Sequence, residues 1–190
     1  MCSPESGTKY FKAIKPGNLP YSINMKKDEL FFMKRALERA QMAYYQQEVP
    51  VGAVVVLDNE IIGSGSNSVI KTCDPTAHAE MLALRTAGEK TRNYRLPGAD
   101  LYVTLEPCLM CYAAMVHARV NNLFFGALDP KTGIFSTGAF EQIKNIFNHT
   151  ITVKSGIMLE ASSKLLQDFF QELRVRRGAR AVEWGGLENR

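Results

Sequence analysis

The chain has 190 residues, of which 46% are hydrophobic and 22% are charged, an ordinary globular composition that excludes disorder as the global state. This length favours one domain with its own core, and no apolar run approaches the roughly 18 residues that a membrane-spanning helix needs. The net charge of +4 is mildly basic, so it permits an acidic partner such as RNA but does not require one.

The predicted elements begin after a polar N-terminal stretch. Residues 1–25 are interrupted by prolines and glycines, and we predict that they form a flexible extension. An alternative hypothesis makes Met25 the native start. Leu30, Met33 and Leu37 then recur at helical spacing, which predicts a helix that begins after the extension.

A β-hairpin is predicted next. The runs over 51–57 and 61–62 are rich in β-branched residues, and the Asp58-Asn59 pair between them is typical of a tight turn. Residues 67–72 are predicted to form a loop.

Helices and strands alternate in the rest of the chain. Asp74-Pro75-Thr76 and Pro107 are predicted to start two helices, because aspartate and threonine cap helices and proline suits the first helical position. The predicted order is a helix over 77–87, a strand over 101–105, a helix over 108–118, a strand over 123–125, a loop over 126–138, a strand over 151–153 and a closing helix. This alternation predicts a three-layer α/β/α sandwich with a mixed five-stranded sheet, in a domain over 26–178 that is followed by a flexible tail over 179–190.

Two short motifs at predicted helix starts carry residues suited to zinc chemistry. His78 and Glu80 lie in one motif, and Cys108 and Cys111 lie in the other. One imidazole and two thiolates supply three zinc ligands and leave the fourth tetrahedral position for water, which is typical of a catalytic site. A helix N-terminus also stabilises thiolates. Glu80 does not share the helical face of His78, but its side chain is long enough to exchange protons with a zinc-activated water.

Other interpretations of these residues stay open. A structural zinc site would need a fourth protein ligand, for which His117 and His149 are candidates. A thiol redox pair would explain the two spaced cysteines but not the imidazole and the carboxylate. A non-catalytic subunit with structural zinc would leave Glu80 without a role. Cys2 and Cys73 are interpreted as ordinary thiols.

The two motifs together, His-x-Glu followed by Pro-Cys-x-x-Cys, form the signature of zinc nucleobase deaminases. Four blocks extend this match, and they resemble the bacterial tRNA adenosine deaminases. These blocks are residues 48–56 (EVPVGAVVV), 74–80 (DPTAHAE), 104–111 (TLEPCLMC) and 126–133 (GALDPKTG). The similarity runs from about residue 26 to the closing helix.

This resemblance implies a cytidine deaminase-like fold and a homodimer that converts the wobble adenosine of a tRNA anticodon to inosine by hydrolysis. It implies one Zn²⁺ per subunit, held by His78, Cys108 and Cys111, with Glu80 moving protons between the water, the ring and the leaving amine. The residues that it places at the target nucleoside or the RNA are Asn67, Asp129, Lys131, His149, Phe169, Phe170 and Arg174.

Local structure offers a second interpretation of several of these RNA contacts. Turn chemistry alone would explain Asn67 and Asp129, and one of Phe169 and Phe170 is expected to lie in the core. The five basic residues between 164 and 180 suit either phosphate contacts or a solvated helix end.

The alternative enzyme is a zinc-dependent deaminase of a free nucleobase or nucleoside, of guanine or cytosine type, which would use the same catalytic residues. The block over 126–133 and the basic closing helix favour tRNA. Four cysteines are too few for a disulfide scaffold, and the N-terminus contains no apolar stretch of the roughly 7–15 residues that a secretory signal needs. We therefore expect a cytoplasmic protein that does not associate with membranes.

Overall fold

The computed structural model describes residues 27–185, with the side chains of residues 28–176. The predicted extension over 1–25 and the last part of the predicted tail, 186–190, lie outside the described residues. The elements follow one another in this order: α1 (Lys27–Tyr45), β1 (Gly52–Leu57), β2 (Glu60–Ser66), α2 (Val69–Thr72), α3 (Ala79–Thr91), β3 (Asp100–Leu105), α4 (Leu109–His117), β4 (Asn122–Ala127), α5 (Ala139–Ile143), a 3₁₀ turn (Lys144–Ile146), β5 (Thr152–Ser155) and α6 (Leu159–Gly185).

The five strands form one mixed sheet, as predicted, and their order in the sheet is β2-β1-β3-β4-β5. Strand β1 pairs antiparallel with both of its neighbours, whereas β3, β4 and β5 are parallel. The predicted hairpin joins β1 to β2, and its two turn residues, Asp58 and Asn59, adopt φ values of 50° and 65°. Positive φ at both central residues is the conformation of a type I′ turn, which matches the twist of the paired strands.

Alternating side chains divide the core between the two faces of the sheet. On one face, Ala53 and Val55 of β1 belong to a cluster that includes buried residues of α3 and α4. On the other face, Val54 packs with Phe32 and Met33 of α1, and α6 contacts α1 and β4. Helices on both faces of one sheet confirm the predicted three-layer sandwich.

Helix α3 lies close against β2 because Gly65 carries no side chain at the contact. A Cβ on Gly65 would collide with the backbone of Ala79 and Ala83. The first turn of α3 is therefore held directly against the sheet.

Helix α3 begins later than predicted, because the residues expected to cap it form a separate turn. The Asp74 carboxylate accepts hydrogen bonds from the backbone N–H (2.8 Å) and the hydroxyl (2.7 Å) of Thr76. His78, in extended conformation, is the N-cap residue instead. Helix α4 likewise begins one residue after its predicted start, with Cys108 as the N-cap.

Two short helices occupy segments for which the sequence predicts loop or no element. Helix α2 lies within the predicted loop over 67–72, and α5 with its 3₁₀ turn follows the loop predicted to end at 138. Neither is long enough for hydrophobic periodicity to reveal it. Helix α6 runs on to Gly185, through a part of the chain predicted to be tail. No helix within residues 27–185 is both long and apolar enough to cross a membrane.

Candidate active site

Three potential metal ligands converge where α3 and α4 begin. His78 is the N-cap of α3, Cys108 is the N-cap of α4 directly beyond β3, and Cys111 lies in the first turn of α4. One ligand atom from each residue lies within 4.8 Å of the other two. The fold thus brings together two motifs that lie far apart in the sequence.

The spacing of these three atoms fits a zinc ion. Cys108 Sγ lies 3.7 Å from Cys111 Sγ and 3.8 Å from His78 Nδ1, and Cys111 Sγ lies 3.4 Å from the same nitrogen. Tetrahedral zinc with bonds of about 2.3 Å to sulfur and about 2.0–2.1 Å to nitrogen places such atoms about 3.5–3.8 Å apart. Thiolate and imidazole are also ligands that zinc prefers.

The group has three protein members within the described part of the chain. Neither histidine considered as a fourth ligand joins it: His117 is exposed, and the Nε2 of His149 lies 2.7 Å from the carbonyl oxygen of Val120. A three-residue donor set leaves a tetrahedral position for water, which is the arrangement of a catalytic zinc site.

Hydrogen bonding within the group prepares one thiolate. The hydrogen bond from Cys111, together with neighbouring His78, lowers the pKa of Cys108 to about 4. The pKa of Cys111 is raised, because its thiol donates to Cys108 and is buried. The pKa of His78 is raised by its hydrogen bond with Cys108. A thiolate beside a second thiol and an imidazole is a preformed set of soft ligands.

The carboxyl group of Glu80, in the first turn of α3, lies beside these three metal-binding residues. It is 4% exposed, and burial raises its pKa, while the Cys111 thiol is one of its hydrogen-bond partners. A buried carboxyl group in contact with metal ligands is suited to proton transfer at the metal.

Asn67, the predicted nucleoside contact, lies beyond β2 and is only 8% exposed. Its Nδ2 donates a hydrogen bond of 3.4 Å to one oxygen of Glu48, whose other oxygen accepts a 2.7 Å bond from the backbone N–H of Lys71. Glu48 is itself 1% exposed. The amide of Asn67 is therefore oriented by the buried carboxylate of Glu48, a residue whose role the sequence alone does not reveal. The available signal was an acidic residue three positions before the predicted apolar strand over 51–57.

The loop after β4 carries two predicted RNA contacts. One oxygen of Asp129 accepts hydrogen bonds from the backbone N–H groups of Lys131 (2.9 Å) and Thr132 (3.2 Å), and the other accepts from the Thr132 hydroxyl (2.6 Å). The Asp129 carboxylate thus stabilises the turn itself, whereas the Lys131 side chain is exposed. Gly133 of the same loop forms a β-bridge with Cys108, which places this loop beside a zinc ligand.

The structure distinguishes the two predicted aromatic contacts. Phe169 is 4% exposed, and its ring packs against that of Tyr44 with a centroid distance of 5.8 Å. Phe170 is 43% exposed. Phe169 is thus the ring that lies in the core, as expected for one of the two, and in this structure only Phe170 presents a face on which a base could stack.

Arg174 is exposed on α6 and makes no ion pair among the described residues. Two other basic side chains of this helix are paired one turn away, Lys164 with Asp168 at 2.9 Å and Arg176 with Glu172 at 3.2 Å. Of these three basic side chains, Arg174 is therefore the most available to bind a phosphate.

A family match covers more than half of the chain: the cytidine and deoxycytidylate deaminase zinc-binding region matches residues 25–127. The tRNA-specific adenosine deaminase of Haemophilus influenzae is 48% identical over 145 residues, which are 75% of this chain and 83% of that protein. A solved tRNA:A34 deaminase, studied for A-to-I editing at the wobble position, is 44% identical with a TM-score of 0.69 over 72% of this chain and 99% of its own. A guanine deaminase from Bacillus subtilis is 39% identical with a TM-score of 0.50 over 55% of this chain and 66% of its own.

The three-residue donor set at the starts of α3 and α4, taken together with the family match, identifies a zinc-binding deaminase. The chain belongs to the cytidine and deoxycytidylate deaminase family. Within that family it matches the tRNA-specific adenosine deaminases over most of their length, and the resemblance predicted from the four sequence blocks is confirmed.

Proposed function

We propose that this chain is a zinc-dependent tRNA adenosine deaminase, which converts the wobble adenosine of an anticodon to inosine. The observation that carries this proposal is the group of His78, Cys108 and Cys111 with buried Glu80 beside it. Identities of 48% to a tRNA-specific adenosine deaminase and 44% to a tRNA:A34 deaminase support an RNA substrate.

The reaction replaces an amino group by an oxygen: adenosine and water give inosine and ammonia. When bound, zinc acts as a Lewis acid that lowers the pKa of water and supplies a nucleophile near neutral pH. The Glu80 carboxylate would accept the proton that the attacking water loses and donate it to the adenine ring as C6 becomes tetrahedral. It would then accept the remaining proton of the new C6 hydroxyl group and pass it to the departing amine, which leaves as ammonia while C6 becomes a carbonyl. Burial of Glu80 keeps these protons away from bulk water.

The exposed residues Lys131, Phe170 and Arg174 support contacts to the RNA outside the pocket. A lysine and an arginine can neutralise phosphates, and an aromatic ring can stack on an unpaired base. Asn67, whose amide Glu48 orients, is proposed to contact the target nucleoside. The Nε2 of His149 is hydrogen-bonded to the Val120 carbonyl oxygen, so Nδ1 is the ring nitrogen that we propose contacts the RNA.

Replacing Arg174 by glutamate is expected to weaken RNA binding and to flatten its salt dependence. Each phosphate contact to a single strand adds about 0.7 to the slope of log K against log salt, so losing one contact reduces that slope by about this amount. The measurement is fluorescence anisotropy with a labelled anticodon stem-loop at several salt concentrations. Lys164→Glu is the control, because that lysine is already paired with Asp168. A slope that Arg174→Glu leaves unchanged removes Arg174 from the interface.

The direct test of the proposed function is inosine formation on an anticodon stem-loop that contains a wobble adenosine. Conversion by the zinc-loaded chain is the expected result. If the stem-loop and the whole tRNA both stay unchanged while zinc is bound, the proposal is wrong. Release of ammonia from free guanine or cytosine would then support the alternative deaminase.

We also propose that the chain is a homodimer located in the cytoplasm, where tRNA is processed. Support for the dimer comes from a groove between α3 and α4 whose lining includes Met81, Leu84, Tyr94 and Ala114, with Tyr94 71% exposed. Sedimentation is expected to show a dimer at micromolar concentration, and Ala114→Arg is expected to shift it towards the monomer. A monomeric wild type would overturn this proposal.

A further inference from the structure

Glu106 is a buried carboxylate that has no assigned role in the proposed reaction. It follows β3, is 3% exposed, and accepts hydrogen bonds from one loop, residues 129–136, here called the anchored loop. Oε1 accepts from the backbone N–H groups of Phe135 (2.8 Å) and Ser136 (2.7 Å). Oε2 accepts from the N–H of Asp129 (2.9 Å) and from the Ser136 hydroxyl. A carboxylate offers about four acceptor sites, and these four hydrogen bonds from the loop occupy all of them.

Backbone contacts tie the anchored loop to the turn that carries a zinc ligand. The N–H of Ile134 donates to the Pro107 carbonyl at 3.0 Å, and Gly133 forms a β-bridge with Cys108. A Cβ on Gly133 would collide with the carboxyl group of Glu106. The loop and the turn are therefore in direct contact, and glycine at this position is required by the lack of space.

We propose that Glu106 is a positioning residue that fixes the anchored loop relative to the metal ligands, so that Lys131 meets the RNA backbone while the adenine reaches the metal. This inference rests on the proposed function. Glu106 acts through the loop and touches neither the substrate nor the metal. A loop that is already ordered binds RNA without the entropic cost of ordering it on contact.

Glutamine at position 106 keeps the size of the side chain but cannot make the same contacts. Its carbonyl oxygen can accept from one side, while its amide group then faces the N–H donors on the other side. The loop N–H groups that face the glutamine amide group lose their hydrogen bonds and stay buried without a partner. The anchored loop is therefore expected to loosen. The sheet and the zinc ligands do not depend on this carboxylate and are expected to stay in place.

The experiment measures inosine formation on the anticodon stem-loop for the zinc-loaded full chain and for three variants, one at Glu106 and two in the anchored loop. Glu106→Gln is expected to raise KM about tenfold and to change kcat by less than about threefold. Ser136→Ala, which removes one hydrogen bond, should raise KM less. Gly133→Ala should also raise KM, because its added Cβ collides with the Glu106 carboxyl group and displaces the loop from it. Glu160→Gln, at an exposed glutamate of α6, is the matched control and should leave both constants unchanged.

Two further readouts separate positioning from general damage. Zinc content should stay at one per chain in Glu106→Gln, and amide hydrogen exchange should accelerate over 129–136 but not in α3 or α4. An unchanged KM in an active Glu106→Gln variant overturns the inference, and so does a loss of zinc together with a loss of kcat. If Glu106→Gln fails to fold, Ser136→Ala and Gly133→Ala decide by the same criteria. A wild type that makes no inosine overturns the proposed function, and with it the role of Glu106 towards RNA.

Discussion

Replacing Glu80 by glutamine is expected to lower inosine formation by about 10²- to 10⁴-fold, the usual contribution of a positioned acid–base group. The amide keeps the size of the side chain and its place in the first turn of α3, but it can neither accept the proton of the water nor protonate the leaving amine. The measurement is the single-turnover rate on the anticodon stem-loop with enzyme in excess, which separates the chemical step from product release.

Binding and metal content should survive this substitution. Glu80 is not one of the three residues whose atoms form the metal-binding group, so zinc is expected to remain at one per chain. RNA affinity is expected to change by less than about threefold, because the groups proposed to bind RNA lie on other elements. Glu60→Gln, at the exposed hairpin turn, is the matched control and should react at the wild-type rate. A rate for Glu80→Gln within tenfold of the wild type would contradict the assignment of Glu80 as the proton-transfer group.

The metal site could be predicted from the sequence because its information is local. Cys108 and Cys111 lie three residues apart, and His78 lies at another helix start, so residue type and spacing suffice to predict zinc ligands. The sheet was predictable for a similar reason, since β-branched runs alternate with helical periodicity along the chain. Only the fold, however, places the two motifs side by side.

Features that depend on contacts between distant segments could not be predicted. Phe169 and Phe170 are the same residue type in adjacent positions, and only the packing of Tyr44 against Phe169 decides which ring lies in the core. The carboxylates of Glu48 and Glu106 belong to a residue type that is usually exposed. They are buried because distant segments supply the N–H groups that satisfy their oxygens.

Local competition explains the errors at helix starts. Asp74 was expected to cap α3, but its carboxylate binds Thr76 and closes a turn before the helix begins. This displacement leaves His78 as the N-cap residue, in extended backbone conformation and at the junction where its ring reaches the cysteines. Aspartate favours both turns and caps, so the sequence alone does not distinguish the two arrangements.

Replacing Cys108 by alanine is expected to remove bound zinc and to abolish inosine formation without unfolding the domain. Two protein ligands hold zinc far more weakly than three, and Cys108 supplies the thiolate of lowest pKa, about 4. The sheet should survive, because nearly all of the residues that form the buried clusters on its two faces are apolar side chains that do not bind metal. Cys108 and Cys111 contribute to only one of these clusters, and Cys108 lies at its edge. Circular dichroism should therefore match the wild type while metal analysis reports loss of zinc.

Cys73→Ala is the matched control for this substitution. Cys73 is an exposed thiol outside the metal-binding group, so its variant should keep zinc, rate and melting temperature. In the wild type, free zinc at 100 times its Kd should stabilise the fold by about 2.7 kcal/mol, a rise in Tm of about 5–10 °C that Cys108→Ala should lose. Zinc retained at one per chain in Cys108→Ala would show that another group completes the site. A zinc-free Cys108→Ala variant that still deaminates RNA would refute a metal-dependent reaction, because Glu80 alone cannot make water a sufficient nucleophile at neutral pH.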